Sequence, residues 1–203
     1  MSLARLLQLA SPTLPVGAYS YSQGLEAAAE AGIVMDAASA ERWIADVLEL
    51  SVARMELAVL RSQLEEPSQA LNDFFLASRE TAELRAETLQ MGHSLQKLLA
   101  ELGVEVPIHE PALPTAYACA ARAWGIASNE AAVAYLWSWL ENQVMAAVKA
   151  IPLGQTAGQK ILLALGGRLD TIVEKEAQWC NFAPGLAFLS ARHETQYSRL
   201  FRS

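Results

Sequence analysis

The segment that comes closest to a nucleotide-binding motif is Gly154-Gln155-Thr156-Ala157-Gly158-Gln159-Lys160-Ile161. A phosphate-binding P-loop needs glycine directly before the lysine, Ser or Thr directly after it, and a strand leading in. Gln159 and Ile161 hold those two positions, and the preceding segment has helical character. We therefore expect no nucleotide site here. The two glycines, one helical turn apart, instead predict a face that another backbone can approach closely.

Two further segments share part of a catalytic signature. His193-Glu194-Thr195-Gln196-Tyr197 begins like a zinc-protease helix, but Tyr197 stands where the second histidine must be. Ser20-Tyr21-Ser22-Gln23-Gly24 resembles a nucleophile elbow without its first glycine or its leading strand. A hydroxyl followed three residues later by an amide predicts a helix cap formed by Ser20 and Gln23. None of these segments predicts a catalytic residue, and we expect a protein that is not an enzyme.

Metal-binding residues are few and scattered. The three histidines, His93, His109 and His193, show no ligand spacing, so each is predicted to lie at the surface or partly buried. The two cysteines, Cys119 and Cys180, form no CxxC pair. Folding can still bring one of these side chains beside a carboxylate, and that alternative stays open. The sequence predicts no metal site and no tightly bound cofactor.

Composition narrows the functional classes further. The 203 residues are 53% hydrophobic and 18% charged, which supplies a core and is not typical of a disordered chain. The net charge of −7 repels phosphate backbones, so we expect no nucleic-acid partner. No apolar run approaches the roughly 18 residues of a membrane span, and the first residues lack a secretory signal. We expect a cytoplasmic protein without a membrane partner.

Apolar residues recur at helical spacing along the whole chain, alanine and leucine dominate, and β-branched residues are sparse. Asp36 or Ser39 is the expected N-cap of the longest helix. The pattern predicts an all-α fold, a single compact multi-helix domain over 1–203 with about eight or nine helices and no significant sheet. The predicted helices are 20–31, 38–64, 69–79, 81–102, 115–124, 129–150, 155–179 and a terminal helix from about 186.

Three segments hold more tyrosines, amides, glycines and prolines than packing needs. They are residues 9–26, residues 149–159 and the C-terminal tail. Because these segments contain no nucleophile with a neighbouring base, their composition favours recognition over catalysis. We therefore predict that they contribute to binding surfaces.

The tail, residues 193–203, has an unusual concentration of aromatic, aliphatic and arginine side chains. If the tail is helical, Tyr197, Leu200 and Phe201 share one face, beside Arg199 and Arg202. Such a stripe either packs on its own domain or binds a partner, because these residue types are enriched at interface centres. The residues alone leave both interpretations open.

Four segments together resemble the UreF family of urease accessory proteins, over essentially the whole chain. They are Ser11-Pro12-Thr13-Leu14-Pro15-Val16-Gly17-Ala18-Tyr19-Ser20-Tyr21-Ser22-Gln23-Gly24-Leu25-Glu26, residues 79–85, residues 152–159 and residues 197–203. Tyr19 stands where the family often has phenylalanine, an exchange that keeps the ring. The resemblance implies an all-α, non-enzymatic chaperone for insertion of nickel during urease maturation.

The resemblance also implies partners. Family members join the accessory protein UreD (UreH in some bacteria) and the GTPase UreG, act on apo-urease and form homodimers. The resemblance further implies that nickel passes through the assembled complex and is not held by this chain as a cofactor. The resemblance also implies that the tail binds UreD through Tyr197, Arg199, Leu200 and Arg202. We expect the tail to become ordered on binding.

The full set of candidate partner-binding residues follows from the three segments and the resemblance. Lys149, Gln155 and Gln159 are assigned to the GTPase surface or to coupling with urease. The complete set is Tyr19, Ser20, Ser22, Glu26, Lys149, Gln155, Gln159, Tyr197, Arg199, Leu200, Phe201 and Arg202.

Two alternatives to a scaffold remain at this point. One is a GTPase-activating or other enzymatic regulator that supplies an arginine finger, for which Arg79, Arg85 and Arg122 are available. The other is a direct nickel carrier that uses the scattered histidines, cysteines and acids.

Overall fold

The computed structural model describes residues 3–176 and 178–203, and within these ranges it is helical without a strand. The predicted all-α class is confirmed. None of the described helices is both long and apolar enough to cross a bilayer. The α-helices are α1 (Leu3–Leu9), α2 (Leu25–Glu30), α3 (Ala37–Val47), α4 (Leu57–Glu65), α5 (Gln69–Ala77), α6 (Ala82–Glu101), α7 (Leu113–Ala123), α8 (Ser128–Ala150), α9 (Gln155–Gly166), α10 (Leu169–Glu174) and α11 (Pro184–His193).

A π-helical segment, Leu48–Glu56, joins α3 to α4, so one continuous helix runs through all three. This agrees with the single long helix predicted for 38–64. Asp36 is its N-cap: the carboxylate accepts from the N–H of Ser39 at 2.8 Å, and Ser39 Oγ accepts from the N–H of Asp36 at 3.0 Å. In the π segment the carbonyl of Leu50 accepts from the N–H of Phe182 at 3.1 Å.

Helix α8 is the centre of the fold, and 11 of its 23 residues are buried. Long, largely apolar helices take this position because they can bury several faces at once. A 3₁₀ turn, Ala18–Ser20, also contacts α8. The α-helices that pack on α8 are α1, α2, α3, α4, α7, α9 and α10.

Helices α4 and α6 pack closely on α7, whose buried face is rich in alanine. The closest approach is at Gly92 of α6, where a Cβ atom would lie 2.0 Å from the carbonyl oxygen of Pro111. The absence of a side chain at Gly92 therefore lets the segment before α7 lie directly on α6. The close backbone approach predicted at Gly154 and Gly158 is wrong: a Cβ atom at Gly158 would lie 3.0 Å from a side-chain methyl of Val148 of α8, and one at Gly154 would have no atom within 4 Å.

Three predicted helix boundaries are wrong. The helix expected at 20–31 begins only at Leu25, because Gly24 adopts the left-handed backbone with φ 76°. The helix expected at 155–179 ends at Gly166, where two successive glycines weaken it, and the short α10 follows. The terminal helix spans Pro184–His193 and does not include the tail.

Candidate partner-docking site

The tail folds back across the N-terminal segment that precedes α2. The N–H of Arg202 donates to the carbonyl of Ser20 at 2.8 Å, and the N–H of Ser22 donates to the main-chain oxygen of Ser203 at 2.7 Å. The Ser22 hydroxyl donates to the same oxygen at 2.6 Å. Residues 20–22 and 202–203 are thus paired through main-chain hydrogen bonds although they lie at opposite ends of the sequence.

Glu26, in the first turn of α2, binds the tail from the other side. Its Oε1 accepts from the N–H of Leu200 at 2.7 Å, and its Oε2 accepts from the N–H of Phe201 at 2.9 Å. Hydrogen bonds to an ionised carboxylate are stronger than those between neutral groups. Glu26 therefore fixes the backbone of the tail at two successive residues.

His193, the last residue of α11, connects Glu26 to α6. Its Nε2 lies 3.2 Å from Glu26 Oε2, and its Nδ1 lies 2.8 Å from Glu83 Oε2. Arg199 pairs with the other oxygen of Glu83 at 2.7 Å. Each ring nitrogen of His193 lies within hydrogen-bond distance of a carboxylate, so the ring links Glu26 to Glu83. His193 was predicted to lie at the surface or partly buried, yet it is fully buried because this network encloses it.

Lys149 connects the end of α8 to the same site. Its Nζ lies 5.8 Å from the ring centre of Phe201 and 6.0 Å from that of Tyr19, within the range of cation–π contacts. Phe201 is only 6% exposed, whereas the Tyr19 ring is largely in solvent. Parts of all three segments that the sequence predicts to form binding surfaces therefore meet at one place.

The tail is not helical, so the predicted shared face of Tyr197, Leu200 and Phe201 is wrong. The N–H groups of Leu200 and Phe201 bind Glu26 instead of carbonyls of a preceding turn. As a result Phe201 faces the domain, Leu200 is 63% exposed and Tyr197 is fully exposed. Part of the tail thus packs on its own domain, while the side chains of Tyr197 and Leu200 lie in solvent, and the binding of a partner by them stays a prediction.

Glu87 of α6 lies beneath the end of the tail and is 2% exposed. Its two oxygens accept from Ser203 Oγ and from Gln23 Nε2, and Gln23 Oε1 in turn accepts from Trp139 Nε1 at 2.7 Å. Burial raises the pKa of Glu87 to about 7, against the lowering effect of the hydrogen bonds from Ser203 and Gln23. Glu87 therefore joins the tail, the N-terminal segment and α8.

The prediction that Ser20 and Gln23 form a helix cap is wrong, because the side chain of Gln23 binds Glu87 instead. Gln23 has φ 51° and its side chain points inward to Glu87, while Gly24 is the N-cap residue of α2. A left-handed backbone is unusual for a residue other than glycine and is held here by the two buried side-chain hydrogen bonds of Gln23.

A second buried network lies next to Glu87. Arg79 pairs with Glu56 Oε1 at 3.1 Å, and the Tyr135 hydroxyl donates to Glu56 Oε2. Burial, followed by the charge of Glu56, raises the pKa of Tyr135 well above its usual value, so this hydroxyl keeps its proton. With Arg79 buried in an ion pair, that arginine is not available as a finger for another protein.

Two of the sequence-predicted residues lie apart from this network. Gln155 and Gln159 are exposed on α9, and in the described part of the chain neither side chain takes part in a hydrogen bond. Across residues 3–176 and 178–203 no three His, Cys, Asp or Glu side chains are arranged to hold a metal ion.

Of the acidic residues that contact the tail, Glu26 is among the candidate residues chosen from the sequence, whereas Glu83 and Glu87 are not. Glu83 and Glu87 lie one turn apart on α6, so they share a helix face, a spacing that is visible in the sequence. The partners of Glu87 (Gln23 and Ser203) and of Glu83 (His193 and Arg199) are distant in sequence and could be found only in the folded chain.

Comparison with known proteins shows that the family model UreF matches residues 34–166, about two thirds of the chain. The chain belongs to the UreF family. The urease accessory protein UreF of Azoarcus sp. (strain BH72) is 55% identical, over all of this chain and 96% of the relative. The UreF proteins of Dechloromonas aromatica (strain RCB) and Methylobacillus flagellatus are 50% and 51% identical, each over all of this chain and 98% of the relative.

The region that matches the UreF family contains α3 to α9 but neither the N-terminal segment nor the tail. The full-length UreF relatives nevertheless extend over both. In this UreF-family chain the candidate docking site is therefore built by segments that flank the matched region and are held on it by α6 and α8.

Proposed function

We propose that this protein is a scaffold in urease maturation, and that the surface formed by the tail and residues 19–26 binds another accessory protein of the UreD (UreH) type. The observation that carries the proposal is the difference between the backbone of the tail, which is held by the domain, and two of its side chains, which are exposed. Its backbone is fixed by Glu26, Ser20 and Ser22, while the side chains of Tyr197 and Leu200 point into solvent. Exposed aromatic and aliphatic side chains on a fixed backbone bind at low entropic cost.

Electrostatics supports the same surface. Arg199 is partly exposed although it pairs with Glu83, and the side chain of Arg202 is exposed. Arginines beside apolar anchors are typical of interface centres. Because the chain as a whole is acidic, this small basic and aromatic area is distinct from the rest of the protein, which favours a complementary acidic partner surface.

Our proposals for the rest of the assembly rest on the membership of this chain in the UreF family. We propose a cytoplasmic homodimer that recruits the GTPase UreG, with Lys149, Gln155 and Gln159 at that surface or at the contact with apo-urease. Nickel is delivered through the assembled complex and is not kept by this chain. The exposed position of Gln155 and Gln159 on α9 is compatible with such a contact.

The decisive experiment compares binding of the full chain and of tail variants to the purified UreD-type protein. We expect Tyr197→Ala combined with Leu200→Ser to abolish co-purification. Phe182→Ala removes another exposed aromatic side chain, one outside the tail, and is expected to bind normally. Unchanged binding by the tail variant would refute the docking assignment.

A further inference from the structure

A cavity of about 260 Å³ leads from the docking surface toward the centre of the domain. Its rim includes the exposed side chains of Tyr19 and Lys149, and its floor includes the buried side chains of Glu56, Tyr117 and Tyr135. The N-terminal segment, α6, α7 and α8 form its walls. The volume is smaller than that of sites for drug-sized ligands, and suits a single small molecule or one side chain.

Aromatic rings are concentrated around this cavity. Four of the chain's five tyrosines line it, together with Trp139. The rings of Tyr117 and Tyr135 stand at 82° with centres 5.1 Å apart, so two walls meet at nearly a right angle. The faces of such rings attract cations, and a corner of rings can contact one cation from two sides.

The lining of the cavity holds three carboxyl groups, those of Glu56, Glu87 and Glu141, and two bases, Arg79 and Lys149. Glu56 is neutralised by Arg79, but the hydrogen-bond partners of Glu87, Ser203 and Gln23, are both uncharged. Glu141 also lines the cavity, and no ion pair of the described residues includes it. Arg79 acts on Glu87 only as a more distant charge, since it is paired with Glu56.

Among the described residues of the lining, the one other base is Lys149 at the rim. Its ammonium lies against the rings of Tyr19 and Phe201, both near the surface end of the cavity. This arrangement is itself an ammonium held by aromatic rings, and it leaves Glu87 and Glu141 without an ion-pair partner among the described residues.

From this combination we propose that the cavity is a receptor for an organic cation, an ammonium or guanidinium group on a short aliphatic stem. The rings and the carboxyl of Glu87 receive the charged group. The stem packs on apolar wall residues, among them Leu14, Met91 and Met145. The cation comes either from a free small molecule or from a lysine or arginine side chain of a bound protein, since both present the same chemistry.

The proposal is tested by nuclear magnetic resonance on the full chain, with the indole N–H of Trp139 as the probe. That group lies in the cavity wall, and its resonance is assigned with Trp139→Phe. We expect saturable shifts with n-butylammonium and n-butylguanidinium, and an at least tenfold weaker response to 1-butanol, which has the same length as n-butylammonium and no charge. An equal response to the neutral compound, or no response to either cation, would overturn the proposal.

Two variants and one matched control locate the binding. Tyr19→Ala removes an exposed ring of the rim. Glu87→Gln, compared at pH 8, above the pKa of about 7 of the Glu87 carboxyl, removes the charge while keeping the shape of the side chain. Each is expected to weaken binding of n-butylammonium at least tenfold. Tyr197→Ala removes the one tyrosine outside the lining and is expected to have no effect. Unchanged affinity in both variants, with folding verified by circular dichroism, would contradict the site.

A third titration distinguishes a free small molecule from a protein side chain as the source of the cation. N-acetyl-lysine methylamide and N-acetyl-arginine methylamide present the same groups from a peptide backbone. Binding of these compounds would identify a protein side chain as the ligand, and binding of the free alkyl cations alone would identify a small molecule. Neither result depends on the accessory partner, so loss of the docking assignment would leave the cavity proposal standing.

Discussion

Glu26 and Phe201 are joined by a 2.9 Å hydrogen bond from the main-chain N–H of Phe201 to the carboxylate, across 175 positions of sequence. The same carboxylate also accepts from Leu200 and contacts His193. One acidic side chain at the start of a short helix therefore holds the tail at two successive residues, in addition to the contacts of Ser203 with Ser22 and Glu87.

The first prediction concerns this carboxylate. Glu26→Gln replaces one of its two acceptor oxygens by an NH₂ group, so Leu200 and Phe201 cannot both keep their acceptors. We expect amide hydrogen exchange at Leu200 and Phe201 to accelerate at least tenfold, measured by mass spectrometry on the free chain. Glu30→Gln, at an exposed position of the same helix, is the control. Equal exchange in both variants would show that Glu26 does not hold the tail.

The second prediction concerns Glu87 and pH. Because burial raises the pKa of Glu87 from 4.5 to about 7, the folded chain holds this proton more tightly than the unfolded chain. The folded state thus loses stability relative to the unfolded state as pH rises from about 4.5 to about 7, by an amount of order 3 kcal/mol.

Glu87→Gln removes that loss. We expect the variant to match the original chain near pH 5 and to exceed it in free energy of unfolding by about 1–3 kcal/mol at pH 8, measured by urea denaturation. A variant that is less stable than the original at pH 8 would mean that the ionised carboxylate and its two hydrogen bonds outweigh the cost of burial.

The third prediction concerns Gly92. In most helix interiors Gly→Ala stabilises a protein by about 1 kcal/mol. Here the new Cβ atom would lie 2.0 Å from the carbonyl oxygen of Pro111, and a backbone atom cannot move aside cheaply. We expect Gly92→Ala to destabilise by at least about 3 kcal/mol, judged by thermal unfolding. Gly185→Ala, in the first turn of α11 with no atom within 4 Å of the new Cβ, should be neutral or slightly stabilising.

The fourth prediction separates the backbone of Arg202 from its side chain. The N–H that bonds to Ser20 remains in Arg202→Ala, so the tail keeps its position. The exposed guanidinium is lost, and we expect binding to the UreD-type protein to weaken by about 1–3 kcal/mol in isothermal titration calorimetry. The free variant should show unchanged hydrogen exchange at Phe201; faster exchange there would assign the effect to the fold instead.

Much of the fold could be predicted from the sequence because helical periodicity is a local signal. The long helix around residues 38–64 and its Asp36 cap are confirmed. The errors lie where a contact distant in sequence replaces a local one. The tail has the spacing of an amphipathic helix, but its N–H groups bind Glu26. Gln23 has the spacing of a capping box, but its side chain is committed to Glu87 and Trp139.

The candidate site was predicted at the level of segments rather than of partners. Composition identified residues 9–26, residues 149–159 and the tail, and the structure brings parts of all three together. The roles of Glu83, Glu87 and His193 were not identified, because each alone is an ordinary residue of a helix. These roles arise only when α6 and α11 place the three side chains around the tail.

The π segment determines how the side chains of α4 are rotated about the helix axis relative to those of α3. Each residue advances an α-helix by about 100°, and the wider turn of the π segment alters where α4 starts. Deleting one residue between 48 and 56 would favour regular α-helical geometry, yet it would turn Glu56 relative to α3 and away from Arg79 and Tyr135. We therefore expect the deletion of one residue from this helical segment to disrupt the cavity more than most single substitutions in the same segment.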